Sequence, residues 1–192
     1  MAFTVLAGFG TTTAFAASET AESYMISFPR DGDAARTLDK VRPGGVIAFI
    51  TSKGTLDKEN PNVRKYIAQR ADLLGAIRLP NDAFKAAAGT EVTSDIIFLQ
   101  KRDRLIDIEP DWVHLATDAN GIRMNAYFVD NPEMVLGDMQ MVSGPHGMES
   151  ACIAYESAEL GDLLQDAIQN IHAEITEFEI DDLEAEDEDL ST

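Results

Sequence analysis

The sequence predicts an α/β fold, because apolar runs of strand length alternate with a helical pattern in the middle of the chain. The run VIAFITS at 46–52 is continuous and rich in β-branched residues, which is typical of a strand covered on both faces. Residues 61–72 carry apolar side chains at helical spacing, and GAIRL (75–79) and SDIIFLQK (94–101) are two further strand runs. This order of elements indicates a sheet with helices packed on it.

Turn and capping residues mark the ends of these elements. Residues 34–41 have the pattern of the last turns of a helix, and Arg-Pro-Gly-Gly at 42–45 ends it, since proline cannot continue a helix. Asn60 is placed to cap the next helix, with Pro61 in its first turn. The last two strands are joined by a segment without a helical pattern, so we expect an antiparallel pair.

The flanking regions are less regular. Residues 3–9 form an apolar run that suits a buried strand, whereas 14–33 show no pattern that assigns a structure. Beyond Asp103, short strand candidates surround a turn at Asp-Ala-Asn-Gly (118–121). Residues 158–175 predict an amphipathic helix whose apolar stripe consists of Leu160, Leu163, Leu164, Ile168, Ile171 and Ile175.

The 192-residue chain is strongly acidic, with a formal net charge of −19. Nine of its acidic residues lie in the last segment, 177–192, which contains no lysine or arginine. A block of like charge is usually a solvated tail. The alternatives are a segment that mimics nucleic-acid phosphates, one that covers a basic groove of the same chain, and one that binds a basic protein partner.

Other common classes of site have little support in the composition. The single cysteine, Cys152, excludes an internal disulfide framework, and His114, His146 and His172 are scattered without the spacing of metal ligands. No apolar run approaches the roughly 18 residues of a membrane span. The N-terminal residues lack the positive leading region of a signal peptide, so we expect a cytoplasmic protein that does not bind membranes.

Two stretches of the sequence carry a family resemblance. Residues 38–102 contain, in order, RPGG, an apolar strand, Leu-Pro followed by a phenylalanine, and a strand that begins Thr-Ser. In this they resemble the later half of N-6 adenine-specific DNA methyltransferases, above all the large methylases, often fused to helicases, of mobile elements and phages. Type I modification subunits show the pattern more distantly, and YFVDNPEMVLGDM at 127–139 also resembles the mobile-element family.

The resemblance implies a partial Rossmann-like methyltransferase sheet whose last strand is antiparallel. It divides the chain into a methyltransferase-like α/β domain at 1–103, a small α+β extension at 104–176 that includes the amphipathic helix, and the acidic tail at 177–192. In such enzymes an aromatic residue near the position of Phe84 stacks on the extruded target base. The alternative, which a single phenylalanine beside Leu-Pro favours, is that Phe84 folds back against the sheet.

Three cations complete the predicted DNA-binding set. Lys53 follows the 46–52 strand at the edge where α/β folds place ligands, so it is the best candidate for a phosphate contact. A solvated loop lysine is the plainer alternative. Arg64 and Lys65 on the next helix add a modest basic face, although they also suit ordinary surface charge.

The family's catalytic parts are not found in this sequence. The resemblance implies S-adenosylmethionine as cofactor, held by a glycine-rich loop, and an Asn/Asp-Pro-Pro-aromatic tetrapeptide that accepts the adenine amino group. The position expected for the tetrapeptide is occupied by Phe9, Gly10 and Thr11. These residues cannot accept the adenine amino group as the tetrapeptide does. We therefore expect no cofactor binding and no methyl transfer by the isolated chain.

Three hypotheses follow. The chain is part of a DNA adenine methyltransferase that needs an upstream half, or it is a non-catalytic binding protein or DNA-mimic inhibitor derived from one. The third hypothesis is a fragment whose first 30 or so residues are foreign to the fold. DNA, the missing half and a basic protein are the corresponding partners.

Overall fold

A five-stranded sheet forms the centre of the computed structural model, which describes residues 15–16, 23–27, 38–89, 91–144 and 147–171. Its strand order is β1-β2-β3-β5-β4. The strands are β1 Phe15–Ala16, β2 Ser23–Ser27, β3 Val46–Ser52, β4 Ala71–Leu79 and β5 Ser94–Lys101. β1 pairs antiparallel with β2, and β2 runs parallel to β3.

The last strand of the sheet, β5, lies between β3 and β4 and is antiparallel to both. The predicted antiparallel pair of the two final strands is therefore confirmed. Because β3 and β4 both oppose β5, they run in the same direction and end at the same edge of the sheet. The loops that follow Ser52 and Leu79 consequently leave the sheet on the same side.

The helix predicted over 61–72 is shorter than expected. It spans α2 Asn62–Ala68, and Asn60 Oδ1 accepts a hydrogen bond from the Asn62 backbone N–H (2.9 Å), as a capping side chain does. Residues 71–74 belong instead to β4, where Ala71 pairs with Lys101. The prediction was wrong here because pairing with β5 satisfies these backbone groups, and a register shift between Leu73 and Gly75 absorbs the mismatch with the apolar pattern.

The turn at 42–45 closes onto the sheet as the sequence predicts. Gly44 has a φ of 75°, which side chains rarely tolerate, and its N–H donates to the Lys101 carbonyl (2.8 Å). Leu38, from the segment before the turn, is completely buried. The predicted strand at 3–9 and the first part of the predicted helix, 34–37, lie outside the described residues.

Two strands form in a region whose sequence pattern predicts no structure. β1 and β2 both lie within residues 14–33, and β2 is the parallel neighbour of β3. The sequence of β2, SYMIS, mixes polar and apolar residues and lacks a run of β-branched side chains. Its strand character therefore depends on pairing with β3 rather than on local propensity.

Beyond β5 the chain forms short elements that pack beside the sheet. The predicted Asp-Ala-Asn-Gly turn is confirmed: Asp118 Oδ1 accepts the backbone N–H groups of Asn120 (2.9 Å) and Ile122 (2.7 Å). The turn joins two antiparallel strands. The elements of this region are β6 Leu115–Thr117, β7 Arg123–Asn125, α4 Ala126–Asp130, and 3₁₀ turns at Asp111–Val113 and Pro132–Met134.

A second hairpin was not predicted. β8 Asp138–Gly144 pairs antiparallel with β9 Gly147–Ile153. Glycines at both ends of Gly-Pro-His-Gly were the available turn signal. Met139 pairs with Cys152, Met141 with Ser150 and Ser143 with Met148, so these residues share one face of the hairpin.

One hydrophobic core joins the sheet to the later elements. It contains Ile47, Ile97 and Leu99 from the sheet together with Phe128 and Cys152 from beyond residue 103. The amphipathic helix predicted over 158–175 is confirmed over α5 Leu160–Gln169, and its stripe from Leu160 to Ile171 packs against this core. Residues 172–175, with Ile175, lie outside the described residues. The predicted domain boundary at 103 stays a prediction. None of the described helices is long and apolar enough to cross a membrane.

Two glycines give a matched test of this packing. A Cβ at Gly137 would lie 2.7 Å from Cys152 Sγ and closer still to the Ile153 carbonyl oxygen, whereas one at Gly161, on α5, meets nothing within 4 Å. We expect Gly137→Ala to lower the free energy of unfolding by about 1–3 kcal/mol through overpacking. Gly161→Ala should raise it by up to about 1 kcal/mol through helix propensity. Urea denaturation measures both, and equal effects would contradict the packing described.

Candidate functional site

The candidate site lies at the edge of the sheet where β3 and β4 end and β5 begins. The loop after β3 contains Lys53 and the short helix α1 Gly54–Asp57. The loop after β4 contains Pro80 to Phe84 and the short helix α3 Lys85–Ala88. α/β proteins bind ligands outside the carboxyl ends of their strands, so this edge is the expected place for a site.

A buried ion pair between two strands forms the centre of the edge. Arg78 on β4 is opposite Asp95 on β5 in the register of the sheet, and both side chains are completely buried. Arg78 Nε donates to Asp95 Oδ1 (2.8 Å) and Nη2 donates to Oδ2 (2.9 Å). This bidentate arrangement matches the fork of the guanidinium to the two carboxylate oxygens.

A second carboxylate and an aromatic ring complete the surroundings of Arg78. Its Nη2 also donates to Asp57 Oδ1 (2.9 Å), and Nη1 lies 2.9 Å from Asp57 Oδ2 as an ion pair without hydrogen-bond alignment. The guanidinium carbon is 4.3 Å from the centroid of the Phe128 ring. We name Arg78, Asp57, Asp95 and Phe128 the arginine cluster.

The charges of the arginine cluster oppose the cost of burial. Burial disfavours the charged guanidinium, but Asp95 and Asp57 outweigh it and raise the pKa of Arg78 above its ordinary value. Burial raises the pKa of Asp95 above its usual range, although Arg78 acts in the opposite direction. Each charge offsets part of the desolvation cost of the other, which is the condition for burying ions in a protein.

Asn125 connects the arginine cluster to the chain beyond residue 103. Its backbone N–H donates to Asp57 Oδ1 (2.9 Å), and its fully buried side-chain amide donates to the carbonyls of Leu56 (3.0 Å) and Trp112 (2.8 Å). Its Oδ1 accepts from the Tyr127 N–H (3.0 Å) and so caps α4. One buried amide therefore fixes three segments of backbone.

Lys53 contacts the β8–β9 hairpin. Its Nζ donates to the carbonyl oxygen of Ser150 and to Ser150 Oγ (3.1 Å). Burial lowers the pKa of Lys53, against the raising effects of Glu149 and Asp57. Lys53 is thus held in a defined position and is not a freely solvated loop lysine.

Hydrogen bonds from backbone N–H groups attach the same hairpin to the edge of the sheet. The Cys152 N–H donates to Thr93 Oγ1 (2.9 Å), and the Asn81 N–H donates to the Cys152 carbonyl (2.8 Å). The Lys53 N–H donates to the Thr93 carbonyl (3.0 Å). Thr93 therefore ties the loop after β3 to strand β9.

The structure brings two of the predicted DNA-binding residues, Lys53 and Phe84, to one edge. Phe84 is half-buried and packs against the core, as its packing alternative expects. The rest of its surface is not covered, so base stacking stays a prediction.

The other two predicted residues are directed elsewhere. Arg64 is 1% exposed and its Nε donates to the Val113 carbonyl (2.7 Å), while Lys65 forms an ion pair with Glu109 (2.8 Å). Both therefore contact the 109–113 segment. Their role in DNA binding stays a prediction. The burial of Arg64 does not favour a contact with DNA. Phe9, Gly10, Thr11 and the tail at 177–192 lie outside the described residues.

Asp57 and Asp95, the carboxylates beside Arg78, are both bound to it. The expectation that the isolated chain binds no S-adenosylmethionine stays a prediction. Within the described ranges no group of three or more His, Cys, Asp and Glu side chains could hold a metal ion.

The arginine cluster was not predicted from the sequence. Its signal was a charged residue inside each of two apolar strand runs, Arg78 in GAIRL and Asp95 in SDIIFLQK. Lys, Glu, Arg and Asp are almost never fully buried unless paired, so two such residues in neighbouring strands predict a pair.

Comparisons with known proteins give coarse similarities. No protein-family model matches the chain. It is 31% identical over 83 residues to the defense against restriction protein B of Escherichia phage P1, a match that covers 43% of this chain and 4% of the phage protein.

Among solved structures, the chain resembles one described as a modification subunit of a type I restriction enzyme from Vibrio vulnificus YJ016. The TM-score is 0.31 at 23% identity, over 41% of this chain and 19% of that one. The likeness to a restriction-modification protein is weak, and the chain spans a small fraction of the length of both relatives.

The arginine cluster predicts a characteristic response to the removal of its cation. Arg78→Met leaves the completely buried Asp95 without its cation, so we expect the free energy of unfolding to fall by about 3–5 kcal/mol near neutral pH. Burial raises the pKa of Asp95 above that in the unfolded chain, so the stability of the variant is lost as pH rises through this raised pKa and recovers in acid. Denaturant titrations at several pH values measure this.

An exposed ion pair provides the control for that experiment. Arg123 and Glu59 also form a two-bond pair, but their side chains are 59% and 74% exposed. Arg123→Met should therefore cost no more than about 1 kcal/mol. A similar loss in both variants would show that the buried position of Arg78 has no special role.

The single thiol gives a second test. Cys152 is completely buried, and burial raises the pKa of its thiol from 9.0 to about 12. Because the thiolate is the reactive form, we expect Cys152 to react with a disulfide reagent only after denaturation. Rapid stoichiometric labelling of the native protein would contradict the burial of Cys152 on strand β9.

Proposed function

We propose that this chain is part of a DNA adenine N-6 methyltransferase-like domain that acts in DNA modification by a mobile element or phage. The chain is incomplete as an enzyme and does not transfer methyl groups alone. The observation that carries this proposal is the sheet edge: the antiparallel β5 brings the ends of β3 and β4 together, with Lys53 on one loop and Phe84 on the other.

The arrangement suits contact with a base taken out of the double helix. The uncovered part of the Phe84 ring offers a stacking surface for a base. Lys53 lies two residues after Thr51, the last buried residue of β3, and offers a positive charge for a phosphate. The backbone bonds from Thr93 and Asn81 hold both loops in place. Such preorganisation lowers the entropy cost of binding.

The match to a phage protein named for defence against restriction supports a setting in DNA modification. The matched part is 4% of that protein, so the rest of such a protein would supply what this chain lacks. In the proposed domain the upstream part binds S-adenosylmethionine and carries the acceptor for the adenine amino group.

A second candidate function is supported by the charge. At a net charge of −19, with nine acidic residues in the last segment, the chain has the character of a DNA mimic. A non-catalytic protein of this kind would occupy the DNA-binding groove of a restriction nuclease, which also agrees with the name of the phage relative. The two candidates differ in whether this chain binds DNA or replaces it.

The base-stacking role of Phe84 can be measured directly. We expect an oligonucleotide duplex with 2-aminopurine opposite an abasic site to bind at low salt and to lose fluorescence as the base stacks. Phe84→Ala should weaken this binding by roughly fivefold to a hundredfold, since stacking on an aromatic side chain contributes about 1–3 kcal/mol per base. Val92→Ala, an exposed apolar residue of the same loop, is the control and should change little.

The outcomes separate the two candidates. Equal binding by Phe84→Ala and the unchanged chain would exclude the stacking role. Absence of oligonucleotide binding at every salt concentration, together with inhibition of a restriction nuclease, would replace the methyltransferase proposal by the DNA-mimic one.

The expected incompleteness has its own measurement. Titration calorimetry of the chain with S-adenosylmethionine should give no binding heat, because the glycine-rich loop and the tetrapeptide that the resemblance implies are not found in the sequence. Methyl transfer from labelled cofactor to DNA should likewise be at background. Micromolar binding would show that residues outside the described ranges form a complete cofactor site.

A further inference from the structure

A separate cleft lies between the loop after β4 and the start of α5. Its volume is about 320 Å³, at the small end of the roughly 300–1,000 Å³ of ligand pockets. Pro80 and Ala83 line it from one side, and Ala158, Leu160 and Leu163 from the other. Its lining combines these small and aliphatic side chains with Asp82 and Tyr155 and with exposed polar atoms.

Hydrogen bonds hold the walls of this cleft in place. The Asn81 N–H donates to the Cys152 carbonyl (2.8 Å), and the Leu136 N–H donates to the Arg78 carbonyl (2.9 Å). Tyr155 lines the cleft and donates its hydroxyl to the Gly137 carbonyl (3.0 Å), while 45% of the residue is exposed. The ring is thus fixed at its hydroxyl end, and much of it stays open to a ligand.

The segments that form the cleft are acidic. Asp82 lines the cleft itself, and the lining segments 80–83 and 154–163 also contain Glu156, Glu159 and Asp162 and no lysine or arginine. We name these four residues the acidic rim. All four of these acidic residues are exposed. An apolar floor inside a negative rim is complementary to an aliphatic side chain flanked by cations. The open Tyr155 ring adds a surface on which a guanidinium or ammonium group can lie.

The same charges disfavour other occupants. The phosphates of a nucleic acid would be repelled by the acidic rim. The chain's own acidic segment at 177–192 carries the same sign of charge and would be repelled as well.

We propose that this cleft docks a basic segment of a partner protein, with a leucine-like side chain on the apolar floor and lysine or arginine against the rim and Tyr155. The site is distinct from the edge that carries Lys53 and Phe84 and does not depend on the methyltransferase proposal. Apolar anchors bordered by complementary charge are the usual form of peptide-binding grooves.

Fluorescence anisotropy with labelled peptides tests the proposal on the full chain. The probe is a short peptide with two leucines one helical turn apart among lysines and arginines, and its partner peptide has serines in place of the leucines. We expect the leucine peptide to bind and the serine peptide to bind at least about tenfold more weakly, since loss of the apolar anchors removes the contact with the floor.

Two pairs of variants locate the binding. Ala158→Arg fills the cleft and reverses the local charge, and it should weaken binding about tenfold or more. Ala119→Arg, an equally exposed alanine in the β6–β7 turn, should bind as the unchanged chain does. Asp82→Asn with Glu159→Gln should weaken binding and reduce its salt dependence, whereas Asp107→Asn with Glu133→Gln should not.

Three results would overturn the proposal. Equal binding of the leucine and serine peptides would indicate attraction to the acidic segment at 177–192 alone. Unchanged binding by both Ala158→Arg and the rim variant would place the contact elsewhere. The third result is that a single-stranded oligonucleotide binds the chain and competes with the peptide. If Ala158→Arg also lowers the affinity for the oligonucleotide, the cleft binds nucleic acid instead.

Discussion

The burial of Arg78 between two carboxylates is the constraint on which the rest of this structure depends. A guanidinium without water needs nearly all of its donors paired, and these partners come from β5 and from the loop after β3. The Arg78–Asp95 pair can form only when the two strands have their observed register, because a shift of one strand by one residue would place the two side chains on opposite faces of the sheet. Fixing this register also fixes where β3 and β4 end.

The arginine cluster also explains why the chain beyond residue 103 packs against the sheet. Phe128 lies over the guanidinium, and Asp57 accepts both from Arg78 and from the Asn125 backbone. The β8–β9 hairpin is then held by separate bonds to Thr93, Lys53 and Asn81. The two candidate surfaces, the edge with Phe84 and the cleft with the acidic rim, both include residues of the loop after β4.

Local patterns in the sequence predicted the elements that local chemistry determines. The β-branched run of β3, the Asp118 turn and the apolar stripe of α5 each follow from a few neighbouring residues. The failures are elements determined by distant partners. Residues 71–74 form a strand because β5 pairs with them, and Arg78 meets Asp95 from 17 residues away through the register of the sheet. For the candidate site, Lys53 and Phe84 were found on one edge, but the contacts that orient them could not be predicted from sequence.

Native-state hydrogen exchange of the unchanged chain and of Arg78→Met tests the central role of the arginine cluster most directly. The amides to follow are those of Asn125 and Cys152, which donate to side-chain oxygens at the edge, with those of the central strand β5 as reference. We predict that Asn125 and Cys152 exchange through one shared opening in the unchanged chain. In the variant, both amides should lose protection together, and their protection should fall well below that of the β5 amides. Protection that persists at Asn125 and Cys152 in Arg78→Met would show that the edge holds together without the arginine cluster.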